Sequence, residues 1–555
     1  MNWQIKERGK RSLIEQLLYN RGVEIDQKEA VGSFLNPDFE RDSYDPFLLG
    51  GVSEAVKRIE KAVELGEKVG VFADYDADGI PGAALMYKTL KKIDLKSYVY
   101  IPNREGGYGL SEEGIDYLIS KGCTLIVTVD LGIKNINEAL YCKEKKIDLI
   151  VTDHHLPGET LPEADCVINP KIEGDKYPFH DLCGCGVAFK LAQALGRSFP
   201  KELDEKFLKW NLDLVAISTI ADVVSLLGEN RVLAKYGLLV IRKTKNIGLQ
   251  ALIKEAKLTP DKIEAYTVGF QIAPRINAPG RIDHATKSFD LLVTEDEAEA
   301  KVLAAWLDKK NTERQEKMDA TYAEVIEKID PAEVRTKKIL IAKGKWLKGV
   351  IGPVASRLVE KFYCPVILFA EDEDKFTGSA RSVEGVNIVE ALGATDEYLI
   401  RFGGHKGAAG VSLYQKEFKK FLEAIYKFAK TGIEEKLLQK KVKIDSEIGS
   451  SEIDLALTDL IEQLQPFGMG NPRPVFLLKE AKLSEMKKIG KDKNHTSLLV
   501  HFGPDKFKAV LFNSLEKHDK LMSDKLYDLV INLERDDWMG RTGVKIQVID
   551  FKEHE

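Results

Sequence analysis

The sequence contains no apolar run near the roughly 18 residues that a membrane span needs. Its opening stretch, MNWQIKERGKRSLIEQLL, has no apolar core and no small-residue cleavage site. Neither a membrane anchor nor a secretory leader is therefore expected, and the expected compartment is the cytoplasm. Cysteine is scarce, with six thiols (Cys123, Cys142, Cys166, Cys183, Cys185 and Cys364) in 555 residues. They are too scattered for a disulfide framework and read as reduced. Cys183 and Cys185 lie near His180, but not at zinc-finger spacing, so buried thiols in a glycine-rich turn are the better reading. Excess positive charge is also missing. A net charge of −6 gives no global attraction to nucleic acid, although a local basic channel is enough for binding. A hydrophobic share of 44% and a charged share of 31% exclude a disordered or fibrous chain. The length exceeds one core and suggests about three or four domains.

What is present is an alternation. KVGVFADYDADGIPGAALMYKTLKKI reads as strand, loop, helix, with Val69, Val71 and Phe72 in the strand and Ala83 to Lys92 in the helix. TLIVTVDLGIKNINEALYCKEKKI repeats the unit, and DLIVTDHH adds another strand. Nearly all-apolar strands alternating with helices predict a doubly wound parallel sheet, an α/β architecture. An N-terminal segment (1–48) precedes this unit, which is expected over 49–290. FLKWNLDLVAISTIADVVSLL reads as one long apolar helix interrupted by Asp222. A charged, glycine-free connecting helix is expected over 291–330, then a second α/β unit over 331–432. From 433 to 555, five short β-like runs predict a small barrel of the OB type.

Ligands of such sheets gather beyond the carboxyl ends of strands. Asp74, Asp76, Asp78, Asp130, Asp153, His154 and His155 all fall at such ends. The alternating carboxylates of FADYDADG repel one another unless a cation sits among them. Taken alone they read equally well as a solvated acidic turn. Asp222 in an apolar helix needs a partner, and it reads either as a helix-capping or hydrogen-bonded acid or as a metal ligand. The convergence of all these residues at one sheet edge favours the metal. Carboxylates with imidazoles suit Mn²⁺ or Mg²⁺, and two such ions roughly 3.5–4 Å apart form a clamp for phosphoryl chemistry.

In order and spacing, DYDADG, VDLG, DHH and IADVV resemble the motifs of the DHH phosphoesterase superfamily. IPNREGGYGL, APRINAPGRI, GVIGPVASRLVEKFYCPVILF, GSARS, FGGHKGAAG and PFGMGNPRPVF narrow the resemblance to its RecJ-type exonucleases, over nearly the whole chain. That resemblance implies 5′→3′ hydrolysis of single-stranded DNA by two divalent ions, with one ion activating water. It implies that Asp76, Asp78, Asp130, His154 and Asp222 are ligands and Asp74 a supporting one. His155 would contact the scissile phosphate, and Asp153 would orient an imidazole. Arg104, Arg275, Asn277, Arg281, Arg357, Ser379, Arg381, Gly404 and His405 would contact substrate. The second α/β unit would be the DHH-associated domain. The implied setting is recombination and repair beside a RecQ-type helicase and a single-strand-binding protein.

Three positions depart from the pattern: Phe72 where many DHH enzymes have His, Pro81 where Ser or Thr is usual, and Leu347 where RecJ chains usually have His. A phosphodiesterase of short oligonucleotides or cyclic dinucleotides is the alternative, disfavoured by the barrel. A dead single-strand-binding replication factor is the other, disfavoured by the retained acids. The barrel is expected to grip strands through NPRPVF and the lysines of KLSEMKKIGKDKNH while taking no part in hydrolysis.

Overall fold

The computed structural model describes residues 1–103, 109–519, 521–538 and 541–555. A short strand, β1 (Asn2–Ile5), comes first and finds its partner only near the far end of the chain. Strands β2 (Lys68–Ala73), β3 (Lys96–Tyr100), β4 (Leu125–Val129), β5 (Asp148–Thr152) and β6 (Cys166–Ile168) then form a wholly parallel sheet in the order β3-β2-β4-β5-β6. LIVTV is buried at every position and KVGVFA at all but its first. Only helices on both faces can bury a strand in that way. One apolar cluster lies on each face, with Val71 on one side and Phe72 on the other. The strand order reverses between β3-β2 and β4, and the crevice beyond the carboxyl ends at such a switch point is where α/β sheets place ligands.

Glu297–Lys328 is a single helix of 32 residues, about 48 Å long at 1.5 Å per residue. Its first half packs Ala300, Leu303, Ala304 and Leu307 on the parallel-sheet core, and Val325 enters the core of the next unit. That unit contains β7 (Leu340–Gly344), β8 (Val366–Asp372), β9 (Lys375–Arg381), β10 (Arg401–His405) and β11 (Ala408–Tyr414), in the order β10-β11-β9-β8-β7. Only β7 and β8 run parallel. GSARS and FGGHKGAAG therefore lie largely on strands rather than in glycine turns.

The last region has β12 (Lys441–Ile444), β13 (Ser446–Glu447), β14 (Phe476–Ile489), β15 (His495–Phe502), β16 (Asp505–Leu511), β17 (Leu526–Trp538) and β18 (Arg541–Glu553). The five strands from β14 to β18 close on themselves through a β14–β17 pairing, the barrel expected from the sequence. Two features were not expected. Leu17, Leu18 and Phe34 from the N-terminal segment belong to the barrel's core, and β1 pairs in parallel with β12. NPRPVF is not an exposed aromatic surface. Phe476 and Asn471 are fully buried. Asn471 binds Arg21 and the Leu464 and Pro466 carbonyls. The lysines Lys482, Lys487, Lys488, Lys491 and Lys493 are exposed.

Candidate metal centre and nucleic-acid cleft

The parallel ladder runs one residue past each central strand: Asp74 N–H donates to Val129 O, Asp130 N–H to Thr152 O, and Asp153 N–H to Ile168 O. The acids are thus held in register with the sheet. Asp130 adopts a left-handed backbone (φ 64°), which Asp tolerates better than most residues. Asp222 sits differently from the sequence reading. The apolar stretch breaks at Asn211 into two helices, Glu205–Trp210 and Leu212–Ala221, and Asp222 caps the second rather than interrupting it.

Three overlapping groups, Asp130/His154/His155, Asp78/His154/Asp222 and Asp74/Asp76/Asp130, each hold ligand atoms within 4.8 Å of one another. His154 Nε2 lies 3.1 Å from Asp130 Oδ1 and 3.7 Å from Asp78 Oδ2 and from Asp222 Oδ2. Both ring nitrogens of His154 are buried without a hydrogen-bond partner. Burial, together with the neighbouring His155 and Lys171, pushes its pKa down to about 3, so it is a neutral imidazole.

The acids are pushed the other way. Burial and the Asp76 charge raise Asp78 to about 6, although the Gly184 and Cys185 N–H groups donate to its carboxylate at 2.6 and 2.8 Å. Burial and four neighbouring aspartates hold Asp130 well above its ordinary value. Burial, Asp78 and Asp76 raise Asp222 to about 9. A neutral imidazole facing carboxylates that repel one another is a donor set that fits divalent cations with oxygen and nitrogen ligands.

Gly184 is required at this point. A Cβ there would lie 2.4 Å from Asp130 Cβ and 2.5 Å from its Oδ1. The helix start that presents N–H groups to Asp78 can approach only as glycine.

Asp153 belongs to none of these three groups but holds two of their members. Its Oδ1 holds His155 Nδ1 at 2.8 Å and accepts from the His154 and His155 N–H groups, while Oδ2 accepts from Ile133 N–H. Burial raises this carboxyl, but the His155 imidazole and the backbone donors outweigh it and hold it below the usual range. Nδ1 is thus tied to an anion, and the ring lines the cleft.

That cleft, about 230 Å³, is lined by Asp74, Tyr75, Asp76, Asp130, His155, Asp222, Asn277, Gly280 and Arg281. Asn277 Oδ1 also accepts from Ala77 N–H, bracing the acidic turn. The sequence reading missed Tyr75 and Gly280 as lining residues and Lys171 as the nearby cation; a lone Lys after Asn-Pro carries no signal.

The grip residues divide. Arg281 Nη1 donates to Gly349 O at 3.3 Å, at the start of the Lys348–Phe362 helix. One turn on, Gly352 faces Arg381 and Ser379; a Cβ there would lie 2.9 Å from Arg381 Nη2 and 3.1 Å from Ser379 Oγ. Strand register places Arg381, Ala408 and His405 in one row, and Ser379, Gly410 and Gly403 in the next. A Cβ added at Gly403 or Gly410 would meet nothing within 4 Å. The result is a bare floor beside Ser379, Arg381 and His405. At Gly404 a Cβ would lie 2.3 Å from Ala408 O, so this position serves strand pairing.

Two expected contacts are engaged elsewhere. Arg275 pairs with Asp308 at 2.8 Å and Arg357 with Asp319 at 2.6 Å, both tying neighbouring helices to the long helix. Arg104 lies outside the described residues. The departures are also local in effect. Phe72 is buried against Tyr100, Pro81 sits in the first turn of the Gly79–Lys92 helix where an N–H has no partner to lose, and Leu347 is exposed ahead of the Lys348–Phe362 helix. The six cysteines are free and buried.

The DHH family N-terminal domain matches residues 68–219, the DHHA1 domain 336–431 and the RecJ OB domain 444–550. The single-stranded-DNA-specific exonuclease RecJ of Haemophilus influenzae is 34% identical over 92% of this chain and 92% of its own length. The chain belongs to the RecJ family. The Bacillus subtilis RecJ is 38% identical over 97% of this chain and 67% of its own length. The crystal structure of Thermus thermophilus RecJ with Mn²⁺ superposes with a TM-score of 0.82 at 28% identity, covering 100% of this chain and 80% of that one. A second structure of that RecJ contains Mg²⁺. Mn²⁺ and Mg²⁺, the ions expected from the donor types here, are thus the ions found in RecJ structures. Among the described residues, no helix is long and apolar enough to cross a membrane.

Proposed function

We propose that this RecJ-family chain is a 5′→3′ exonuclease of single-stranded DNA that hydrolyses phosphodiester bonds with two divalent ions. The observation that carries this reading is the neutral, hydrogen-bond-orphaned His154 facing Asp78, Asp130 and Asp222 at the floor of a cleft. Asp74, Asp76, Asp78, Asp130, His154 and Asp222 hold the ions, which supply a water-derived nucleophile and offset charge on the phosphate. His155 donates to a phosphate oxygen, and Asp153 keeps the ring turned. Asn277 and Arg281 line the path of the strand. Ser379, Arg381 and His405 take the 5′ end on their bare floor, where backbone and guanidinium donors suit a phosphate. The cleft is lined mainly by the acids that hold the ions, and we read single strands as selected by width and backbone contacts. The retained ligand set argues against a dead binding protein. We place the enzyme in the cytoplasm, in recombination and repair, with a RecQ-type helicase and a single-strand-binding protein as partners.

The test is Mn²⁺-supported digestion of single strands labelled at one end or the other. Label at the 5′ end should be released first. Arg381→Ala should raise KM about 10- to 100-fold with kcat less affected, the worth of a lost charge-assisted contact. Release of 3′ label first would reject the polarity.

A further inference from the structure

The loop between Asp222 and the Gly228–Ile241 helix is held from outside the catalytic domain. Val223, directly after Asp222, is left-handed at φ 61°, a rare state for a β-branched side chain. Such strain persists only where the surroundings over-determine it. From within the domain, Asn230 Nδ2 binds Ser225 O. Val224 also packs on the parallel-sheet core, and Val223 N–H donates to Ile220 O at 3.4 Å; further support comes from PFGMG, ahead of the barrel. Leu226 N–H donates to Met469 O at 2.8 Å. Gly468 and Gly470 close the contact. A Cβ at Gly468 would lie 2.6 Å from Leu226 Cδ1, and one at Gly470 would lie 2.4 Å from Ser225 Oγ. The two backbones meet where no side chain fits.

We infer that the Gly468–Gly470 loop is a positioning element for Asp222, so that the barrel region sets ion binding in the catalytic domain as well as gripping DNA. This rests on the reading of Asp222 as a ligand. It reverses the sequence-based expectation that the barrel takes no part in hydrolysis. Ligands must be held to within fractions of an ångström, and a displacement of about 1 Å can cost a hundredfold in rate. Met469 and the two glycines touch no reacting atom. Their effect passes through the Ser225–Leu226 backbone to Asp222.

The test uses the full chain and Mn²⁺ itself. Gly470→Ala should weaken Mn²⁺ binding, measured by calorimetry, and lower kcat on an oligonucleotide too short to reach the barrel, each by on the order of tenfold. KM for long strands should change little. Adding Ser225→Ala removes the atom that the new methyl strikes and should restore most of the Mn²⁺ affinity, a rescue that a general stability loss would not give. Gly468→Ala, relieved by Leu226→Ala, provides a second pair that does not involve a left-handed glycine, should Gly470→Ala fail to fold. Folded variants with wild-type Mn²⁺ affinity, or with only KM for long strands raised, would overturn the inference. An inactive wild-type chain would count instead against the proposed nuclease.

Discussion

Asp130→Asn is expected to lower nuclease activity at least about a thousandfold, the effect of losing several kcal/mol of metal-derived charge stabilisation, while making the metal-free protein more stable. The two effects share one cause. Asp130 is buried among Asp74, Asp76, Asp78 and Asp222, and without a cation burial and those charges favour its protonated form. Asn keeps the shape, tolerates the left-handed backbone and removes the charge. The sign of the pH dependence follows. Asp222 has a folded value of about 9 against an ordinary 3.8. A raised carboxyl gives its stabilisation below the unfolded value and loses it as pH climbs through the folded one. Melting of the metal-free protein should therefore fall from about pH 4 to about pH 9, Mn²⁺ should flatten the fall, and Asp130→Asn should remove that part of it due to Asp130. Melting curves with a chelator and with Mn²⁺, beside rates on labelled DNA, check this. A folded variant keeping a tenth of wild-type activity, or one less stable than wild type without metal, would remove Asp130 from the centre.

Much of this centre was legible because its residues sit at the ends of strands whose composition allows only one environment. LIVTV and LIVT can only be buried on both faces, and a parallel sheet then fixes where Asp130 and His154 must gather. Asp222 was legible as a polar exception, with a capping acid as the plain alternative, but the break at Asn211 was not, because the apolar character continues unchanged across it and leaves no mark in composition. NPRPVF misled for a different reason. Arginine beside an aromatic is what a strand-binding surface needs, yet Phe476 fills the barrel core and Asn471 is held by Arg21, 450 residues earlier. No local pattern reports so distant a partner. Arg275 and Arg357, whose motifs suggested DNA, pair with Asp308 and Asp319 of the long helix, partners that no local pattern reports.

Arg231→Leu is expected to cost roughly 3–5 kcal/mol and to uncouple the melting of the barrel from that of the catalytic domain. Arg231 is 2% exposed, on the Gly228–Ile241 helix of the catalytic domain. Nε donates to Phe34 O, Nη1 to Leu464 O and Nη2 to Gln463 O, all within 2.9 Å, and the guanidinium lies 4.1 Å from the Phe34 ring centre. Burial, with Arg21 nearby, lowers its pKa to about 10, so it stays charged at neutral pH. One planar cation thus ties the catalytic domain to the N-terminal segment and to the carboxyl end of the Leu455–Gln463 helix. Leucine fills part of the space and takes the donor from the Phe34 and Gln463 carbonyls, while Leu464 O keeps only Asn471 Nδ2. Lysine keeps the charge but not the fork, so Arg231→Lys should recover less than half of the loss. Calorimetry should resolve one transition in the parent and two in the leucine variant. A single unshifted transition would show that this cation is dispensable.

The pairing of β1 with β12 bears on the order of assembly. Asn2 lies opposite Lys441, and Trp3 Nε1 donates to Asp550 across 547 positions. During synthesis the catalytic sheet can close while Leu17 and Leu18 still lack the barrel residues they pack on, which have not yet been made. The loop to be closed is long, but each doubling of loop length adds only about 0.6 kcal/mol, so the delay matters more than the equilibrium cost. For that interval an apolar helix and an unpaired strand edge stay open to other chains. Slow or interrupted translation late in the message should therefore favour aggregation through the amino-terminal residues, far from the codons at which the ribosome stalls.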